Sequence, residues 1–227
     1  MGANVWNQNY DGFVQDLNDD PILSNVDVEN DLGLDDDNGN VLYVALEHPV
    51  LFLPNIRLQS TELVTESSSL LQRTIEFNGQ TFTGALPVNS EIDLSHTDAT
   101  FYYQVLDNWI SIDLGLTARF FDGSVIIEEI GSNNRAEEEI EGVVPLLYGA
   151  ARVDLPLSGL YASLQVHALG DGDNNLIDYQ ATLGYESGFG LGIEAGFRSM
   201  DLELDDIDDV KAELTVDGAF AGLFFHF

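Results

Sequence analysis

The chain has 227 residues, of which 40 are acidic and seven are basic, so its formal net charge is −33. This charge excludes nucleic acid as a partner, because the phosphates would be repelled rather than neutralised, and the absence of cysteine excludes disulfides and thiolate metal sites. Hydrophobic residues make up 44% of the chain and are patterned, which excludes intrinsic disorder.

The sequence has neither a helical membrane span nor a recognisable export signal. No run of about 18 consecutive apolar residues occurs. The first residues, MGANVWNQNYDG, lack a basic segment followed by an apolar stretch. Two interpretations remain open at this point: a cytoplasmic protein, or an exported protein whose signal has been removed.

Apolar and polar residues alternate with period two through most of the chain, and this pattern predicts β-strands. The clearest example is WISIDLGLTARFF, which begins at Trp109. No segment has comparable helical spacing, so we predict an all-β protein. The predicted strands lie in chain order at about 3–14, 40–48, 53–64, 90–106, 109–127, 138–155, 159–170, 175–186, 189–203 and 210–227.

Strand length and connection length together predict the architecture. The regular alternations run for about 9 to 13 residues, whereas strands of globular proteins usually have about 5 to 6, and a tilted strand needs about 9 to 11 to cross a bilayer. Connections are short on one side and mostly long and acidic on the other, at roughly 15–39, 65–89, 122–141, 170–175 and 201–209.

This asymmetry predicts one domain, residues 1–227, folded as an antiparallel up-and-down transmembrane β-barrel of about ten strands. Eight strands is the main alternative, because the first predicted strand has polar residues on both faces. The other alternative is a soluble barrel or sandwich, with the apolar face inside and the charges in water.

The scarce basic residues favour a charged interior. Four of the seven lie on the polar faces of predicted strands, together with several carboxylates. We therefore expect an inward-facing network that fills a narrow lumen, with the members Arg57, Asp98, Asp113, Arg119, Arg152, Asp154, Asp178, Glu194 and Arg198. The opposite faces would meet lipid, through Ile110, Ile112, Leu114, Leu116, Leu164, Val166, Leu191, Ile193, Leu223, Phe225 and Phe227.

The last strand carries a resemblance to known proteins. It ends at Phe227 and has Phe225, Leu223 and Ala221 at every second position before it. This pattern resembles the C-terminal signal of bacterial outer-membrane barrels, which implies the barrel assembly machinery as a partner. The stretches NDLGLDDDNGNVLYVALEHPVLFLPNIRLQ (30–59) and GDGDNNLIDYQATLGYESGFGLGIEAGFRSMDLELDD (170–206) resemble a proteobacterial outer-membrane β-barrel family without an assigned activity. The resemblance implies a Gram-negative outer-membrane location and brings no catalytic residues.

Only one histidine has neighbours that suggest catalysis. His96 follows Ser95, and His96 and Asp98 share the inward face, so the pair could orient a general base. Ser, His and Asp this close in sequence do not build a triad geometry, and we interpret His96 as a polar lumen residue. We predict no catalytic residue and no enzyme activity.

An acidic segment suggests a weak metal site. GDGDNN, at 170–175, places Asp171, Asp173 and Asn175 at alternate positions, like the start of an oxygen-ligand calcium loop. It lacks the later Gly and Glu of an EF-hand. Weakly bound Ca2+ is therefore the one cofactor that we consider, against the alternative of a solvated acidic surface.

Three functions remain open after this reasoning. The first is a structural or surface-interaction role, in which acidic outer loops meet divalent cations, lipopolysaccharide or other partners around a lumen filled by side chains. The second is a narrow, porin-like channel or small-solute transporter. The third is a barrel hydrolase that acts on lipid or peptide.

Overall fold

The computed structural model describes residues 1–50, 52–170, 174–207 and 210–227, without the side chains of 206, 207 and 210. Within these residues, no helix is long and apolar enough to cross a membrane. The strands are β1 (Gly2–Asp16), β2 (Asn25–Asp27), β3 (Asp37–Leu46), β4 (Asn55–Thr61), β5 (Val64–Leu70), β6 (Ile75–Phe77), β7 (Gln80–Phe82), β8 (Pro87–Asp93), β9 (His96–Asp107), β10 (Ile110–Glu129), β11 (Arg135–Asp154), β12 (Leu160–Gly170), β13 (Asn175–Glu186), β14 (Leu191–Ile207) and β15 (Val210–Phe225).

Ten of the described strands close into an antiparallel barrel. The order around the barrel is β1, β3, β4, β9, β10, β11, β12, β13, β14 and β15, and β15 pairs with β1 through Gly2 and Phe224. Closure holds even the polar first strand on both sides, by β15 and by β3. The prediction of an antiparallel barrel of about ten strands is confirmed, and the alternative of eight strands is wrong.

The two ends of the barrel differ in their connections. Both termini lie at one end with the short connections 47–54, 108–109, 155–159 and 187–190, and we call it the turn end. The opposite end, called the loop end, carries the long connections 17–36 and 71–86. These contain the small strands β2, β6 and β7, so the loop end is covered by ordered structure.

Several strands continue further toward the loop end than the sequence predicts. The chain of β4 resumes as β5 after a break at 62–63, and β8 leads into β9 across a break at 94–95. β10 and β11 remain paired as far as Glu128 and Arg135. The predicted loop 65–89 is wrong over much of its length, and the rough loop ranges 122–141 and 201–209 are too long, since the strands predicted at 109–127, 138–155 and 189–203 continue into them.

Strand β14 shows why these extensions are hard to predict. From the turn end, its outward side chains are first apolar, with Ile193 and Phe197, and then acidic, with Asp201 and Glu203. Its inward side chains change the other way, from Glu194 and Arg198 to Met200, Leu202 and Leu204. The period of two continues, but the polarity of the two faces reverses, so an acidic outer face resembles a loop in sequence.

The same reversal divides the whole barrel into two parts at the level of Arg198. In the turn half, apolar side chains face outward and polar ones face inward; in the loop half, acidic side chains face outward and apolar ones fill the interior. The hydrophobic core therefore lies in the loop half. Its completely buried members include Leu63, Ile75, Phe82, Val88 and Ile127.

The long connections at the loop end complete this hydrophobic core. Arg73 ties them together: its guanidinium forms an ion pair with Asp31 at 2.6 Å and donates to the carbonyl oxygens of Ile22 and Asn25. The β6–β7 hairpin turns through Asn78 and Gly79, which both have positive φ, as a two-residue hairpin turn requires.

Candidate functional site

The interior of the barrel contains three successive regions between the turn end and the loop end. A polar cavity, which we call the vestibule, opens at the turn end. A buried layer of charged side chains, the belt, follows at mid-height. A second cavity, lined mainly by apolar residues and called the chamber, lies in the loop half.

The belt is a chain of ion pairs that crosses the lumen. Arg119 of β10 donates two hydrogen bonds to Asp98 of β9, both of 2.8 Å, and a third of 2.7 Å to Asp178 of β13. Arg198 of β14 donates two hydrogen bonds to the same Asp178, of 2.9 and 2.7 Å, and one of 3.2 Å to the hydroxyl of Thr61 of β4. All four charged side chains are at most 3% exposed, and such paired and hydrogen-bonded burial is what makes buried charges tolerable.

The histidines beside the belt take part in structural hydrogen bonds. His96 Nδ1 lies 2.9 Å from the carbonyl oxygen of Leu94, and His96 Nε2 lies 3.5 Å from Arg198. The hydroxyl of Ser95 accepts from the backbone N–H of Leu63. These contacts do not form the nucleophile, base and orienting carboxylate of a triad.

In the vestibule, tyrosines hold a carboxylate between two arginines. The hydroxyls of Tyr43 and Tyr161 donate to Glu194 at 3.0 and 3.1 Å. Arg57 lies over the Tyr43 ring at 4.2 Å and Arg152 over the Tyr161 ring at 3.7 Å, within the range of a cation–π contact. The vestibule has a volume of about 550 Å³.

The other predicted network members also line the vestibule, away from the belt. Arg152 pairs with Asp154 at 2.8 Å, and Arg57 donates to Gln59 at 2.9 Å. Asp113 lines the same cavity. The nine predicted lumen residues thus form two groups at different heights: four make the belt and five line the vestibule.

The chamber was not predicted from the sequence. It has a volume of about 370 Å³, within the range of pockets that hold small molecules. Its apolar lining includes Phe121, Ile140, Leu169, Leu202, Leu204 and Leu214. The signal was present in β14 and β15, where Leu202, Leu204 and Leu214 alternate with acidic outward residues.

As far as the described residues show, the chamber opens through a gap in the barrel wall, which we call the notch. β12 and β13 form a short hairpin whose pairing with β11 begins only at Leu147 and Ala168. Above that point, β11 continues to Arg135 on one side and β14 continues to Ile207 on the other. Glu138, Gly142 and Asn175 lie along the rim.

The outer surface of the turn half carries the residues predicted to face lipid. Ile110, Ile112 and Val166 are half-buried. The others are exposed: Leu114, Leu116, Leu164, Leu191, Ile193, Leu223, Phe225 and Phe227. On β14 the apolar band ends before Asp201, so its height agrees with the roughly 9 to 11 residues that cross a bilayer.

Two of the three residues of the predicted calcium site, Asp171 and Asp173, lie outside the described residues. Asn175 is described, and its amide donates to Glu203 at 3.0 Å. Within the described parts of the chain, no three His, Asp or Glu residues converge into a metal site.

Comparisons with known proteins give weak likenesses. No family model matches the sequence, and no curated protein matches it. Among solved structures, the chain is similar to the CymD monoaromatic hydrocarbon channel (10% identity, 86% of this chain and 53% of that one, TM-score 0.36). It is also similar to the Pseudomonas putida toluene transporter TodX (10%, 100% and 89%, 0.31) and to the Ralstonia pickettii toluene transporter TbuX (8%, 99% and 89%, 0.21).

The chain thus spans about half the length of CymD. TM-scores of 0.36 and below carry no argument about shared function. The geometry of the belt, the vestibule and the chamber is the better guide to what the barrel can do.

Proposed function

We propose that the chain is an integral barrel of a bacterial outer membrane that takes up small apolar molecules through its chamber, as a narrow solute transporter. The apolar band of the turn half supports membrane insertion, because an exposed surface of this size and continuity matches hydrocarbon rather than water. The termini and short turns at one end favour a periplasmic turn end, which directs the acidic loop half outward.

The chamber is the observation that carries this proposal. An interior cavity of about 370 Å³ with a mainly apolar lining favours uncharged, apolar ligands, because they gain burial and leave no unpaired polar group. A purely structural barrel needs no such cavity. The vestibule has the opposite chemistry, with two arginines and several carboxylates, so the two cavities select different molecules.

The belt lies on the path that a solute would take from the chamber to the vestibule. It places four buried charged groups across the lumen between chamber and vestibule, and parting them would leave each without its partner. We therefore expect no steady ion conductance from the wild-type barrel in planar bilayers. Passage of a bound solute requires a rearrangement that ions alone do not induce.

Ligand binding in the chamber is testable with a fluorinated aromatic probe. Trifluoromethylbenzene would be titrated against the barrel in lipid nanodiscs and followed by 19F NMR, which separates saturable binding to protein from linear partition into lipid. We expect saturable binding to the wild type. Leu202→Glu should abolish it, because a carboxylate in the apolar chamber must either remain hydrated or be neutralised.

Gln180→Glu is the matched control, because it adds the same carboxylate to the vestibule, which Gln180 lines. It should leave the saturable component unchanged. The proposal is wrong if the wild type shows only linear partition, or if both variants bind as the wild type does.

A further inference from the structure

The loop half of β11 presents an unpaired strand edge. Between Arg135 and Leu146, β11 pairs with β10 alone among the described strands, since its ladder with β12 begins at Leu147. An unpaired edge exposes backbone N–H and C=O groups that can bind another extended chain. The loop half of β11 is therefore a place where a further strand could be added to the barrel wall.

Alternate residues of this edge direct their backbone groups away from β10. The carbonyl oxygen of Glu137 accepts a 2.8 Å bond from the Asn78 side chain instead of from β10. Pro145, at the same parity, has no N–H to give to β10. Because backbone groups of a strand alternate between its two sides, Glu139, Glu141 and Val143 also present theirs to the notch.

The two faces of the edge differ in chemistry. Glu137, Glu139 and Glu141 point outward and are exposed, and they form a row of negative charge. On the inward face, Ile140 and Gly142 line the chamber. A Cβ atom placed on Gly142 would meet no atom of the described residues within 4 Å, so a side chain of a bound chain has space at this position.

We propose that this edge binds an extended cationic peptide in which basic and apolar residues alternate. Its backbone would pair with Glu139, Glu141 and Val143, its basic side chains would lie beside the glutamate row, and its apolar side chains would enter the chamber. Cross-strand pairs of opposite charge and of apolar residues stabilise antiparallel pairing. About seven residues, at roughly 3.3 Å per residue, cover the part of the edge from 137 to 143.

The negative charge of the glutamate row disfavours two other binding partners, a second copy of this edge and lipopolysaccharide. A second copy of this edge would place one glutamate row against another, which opposes pairing. Lipopolysaccharide phosphates would meet the same negative row and could not use the backbone carbonyls as acceptors. This partner goes beyond the proposed uptake of apolar solutes and depends on the edge rather than on the chamber alone.

The probe is an acetylated and amidated nine-residue peptide of alternating lysine and valine, titrated by calorimetry against the barrel in zwitterionic nanodiscs. Val143→Pro removes one edge N–H without touching the β10 ladder, as Pro145 already does, and should weaken binding at least tenfold. Val143→Ala retains that N–H and should remain within twofold of the wild type.

Two further arms test the charge and the pairing. The triple variant Glu137→Gln, Glu139→Gln, Glu141→Gln should weaken binding at least tenfold, whereas Asp201→Asn, Glu203→Gln, Glu213→Gln removes equal charge elsewhere and should change it less than threefold. A peptide methylated on alternate amide nitrogens should not bind.

Equal binding by the Val143→Pro and Val143→Ala variants would overturn the proposal, as would unchanged binding of the methylated peptide. The solute-uptake proposal is judged separately by the fluorinated probe, so either can fail without the other.

Discussion

The turn half and the loop half of this barrel use the same strands with opposite polarity. In the turn half, Leu114 and Ile193 face outward while Arg57 and Glu194 face a polar vestibule. In the loop half, acidic side chains face outward and the interior is a hydrophobic core with a chamber. The turn half thus matches a barrel solvated by lipid, and the loop half matches a water-soluble protein, with the belt at their junction.

The comparison teaches that one strand can serve two solvents when its period is kept and its faces exchange roles. Lipid requires an apolar outside, and water requires a polar one. Where the turn half meets the loop half, the lining of the lumen must change from polar to apolar without leaving a buried charge unpaired. The belt fulfils this condition by pairing every one of its charged groups.

Removal of the central arginine should have the largest effect. Arg119→Leu leaves Asp98 and Asp178 buried without their shared partner, which should cost about 3–5 kcal/mol of unfolding free energy. Reversible urea unfolding in lipid vesicles measures the loss. Arg152→Leu breaks a half-exposed vestibule pair and should cost about 1 kcal/mol or less. Equal losses of unfolding free energy in the two variants would mean that the belt stabilises the barrel no more than the exposed pair does.

Truncation in the loop-half core should come next. Leu63 is completely buried, so Leu63→Ala should cost about 2–5 kcal/mol through lost burial and the cavity left behind. Leu86→Ala, at a partly exposed site, should stay within about 1 kcal/mol. The same unfolding experiment tests both, and a loss below 1 kcal/mol for Leu63→Ala would contradict a packed core.

An outward arginine should distinguish the halves directly. Leu114→Arg places a cation on the lipid face and should cost about 2–4 kcal/mol. Glu139→Arg, also outward but in the loop half, should change stability by about 0.5 kcal/mol or less, because its side chain is in water. Similar costs for the two variants would mean that the membrane boundary lies elsewhere.

The smallest effect is expected at the edge of the belt. The Thr117 hydroxyl lies 2.8 Å from that of Thr100 and 3.0 Å from His167. Thr117→Ser keeps this hydroxyl and should change the unfolding free energy by about 1 kcal/mol or less. Thr117→Val leaves the two buried partners unsatisfied and should cost about 1–3 kcal/mol. A larger loss of stability for Thr117→Ser than for Thr117→Val would show that these hydrogen bonds do not determine the effect.

The fold followed from the sequence because alternation and strand length are local properties. The faces of β10, β13 and β14 predict which side of the wall Arg119, Asp178 and Arg198 occupy. They do not predict that Arg119 meets Asp178 across the lumen, because that contact depends on closure and on the stagger of nonadjacent strands. The predicted strands 109–127 and 138–155 stop short of Glu129 and Arg135, where β10 and β11 end and begin, because the residues between them are acidic.

The chamber and the notch depend on relative lengths that no single strand contains. Among the described residues, β12 ends at Gly170 and β13 begins at Asn175, while β11 extends further, to Arg135. Pro145 gives one local reason, since it offers no N–H to extend the ladder with β12. An alternation that reverses its polarity, as between Phe197 and Leu202, is the sequence signal for such a two-solvent strand.

A depth scan along β14 tests the central claim most directly. The chain has no cysteine, so single cysteines at 193, 197, 201 and 203 can each carry a fluorophore in vesicles that contain brominated lipid. The reversal of polarity predicts strong quenching at Ile193 and Phe197 and almost none at Asp201 and Glu203. Equal quenching at all four positions, or stronger quenching at 201 and 203, would contradict a boundary between lipid and water at the level of the belt.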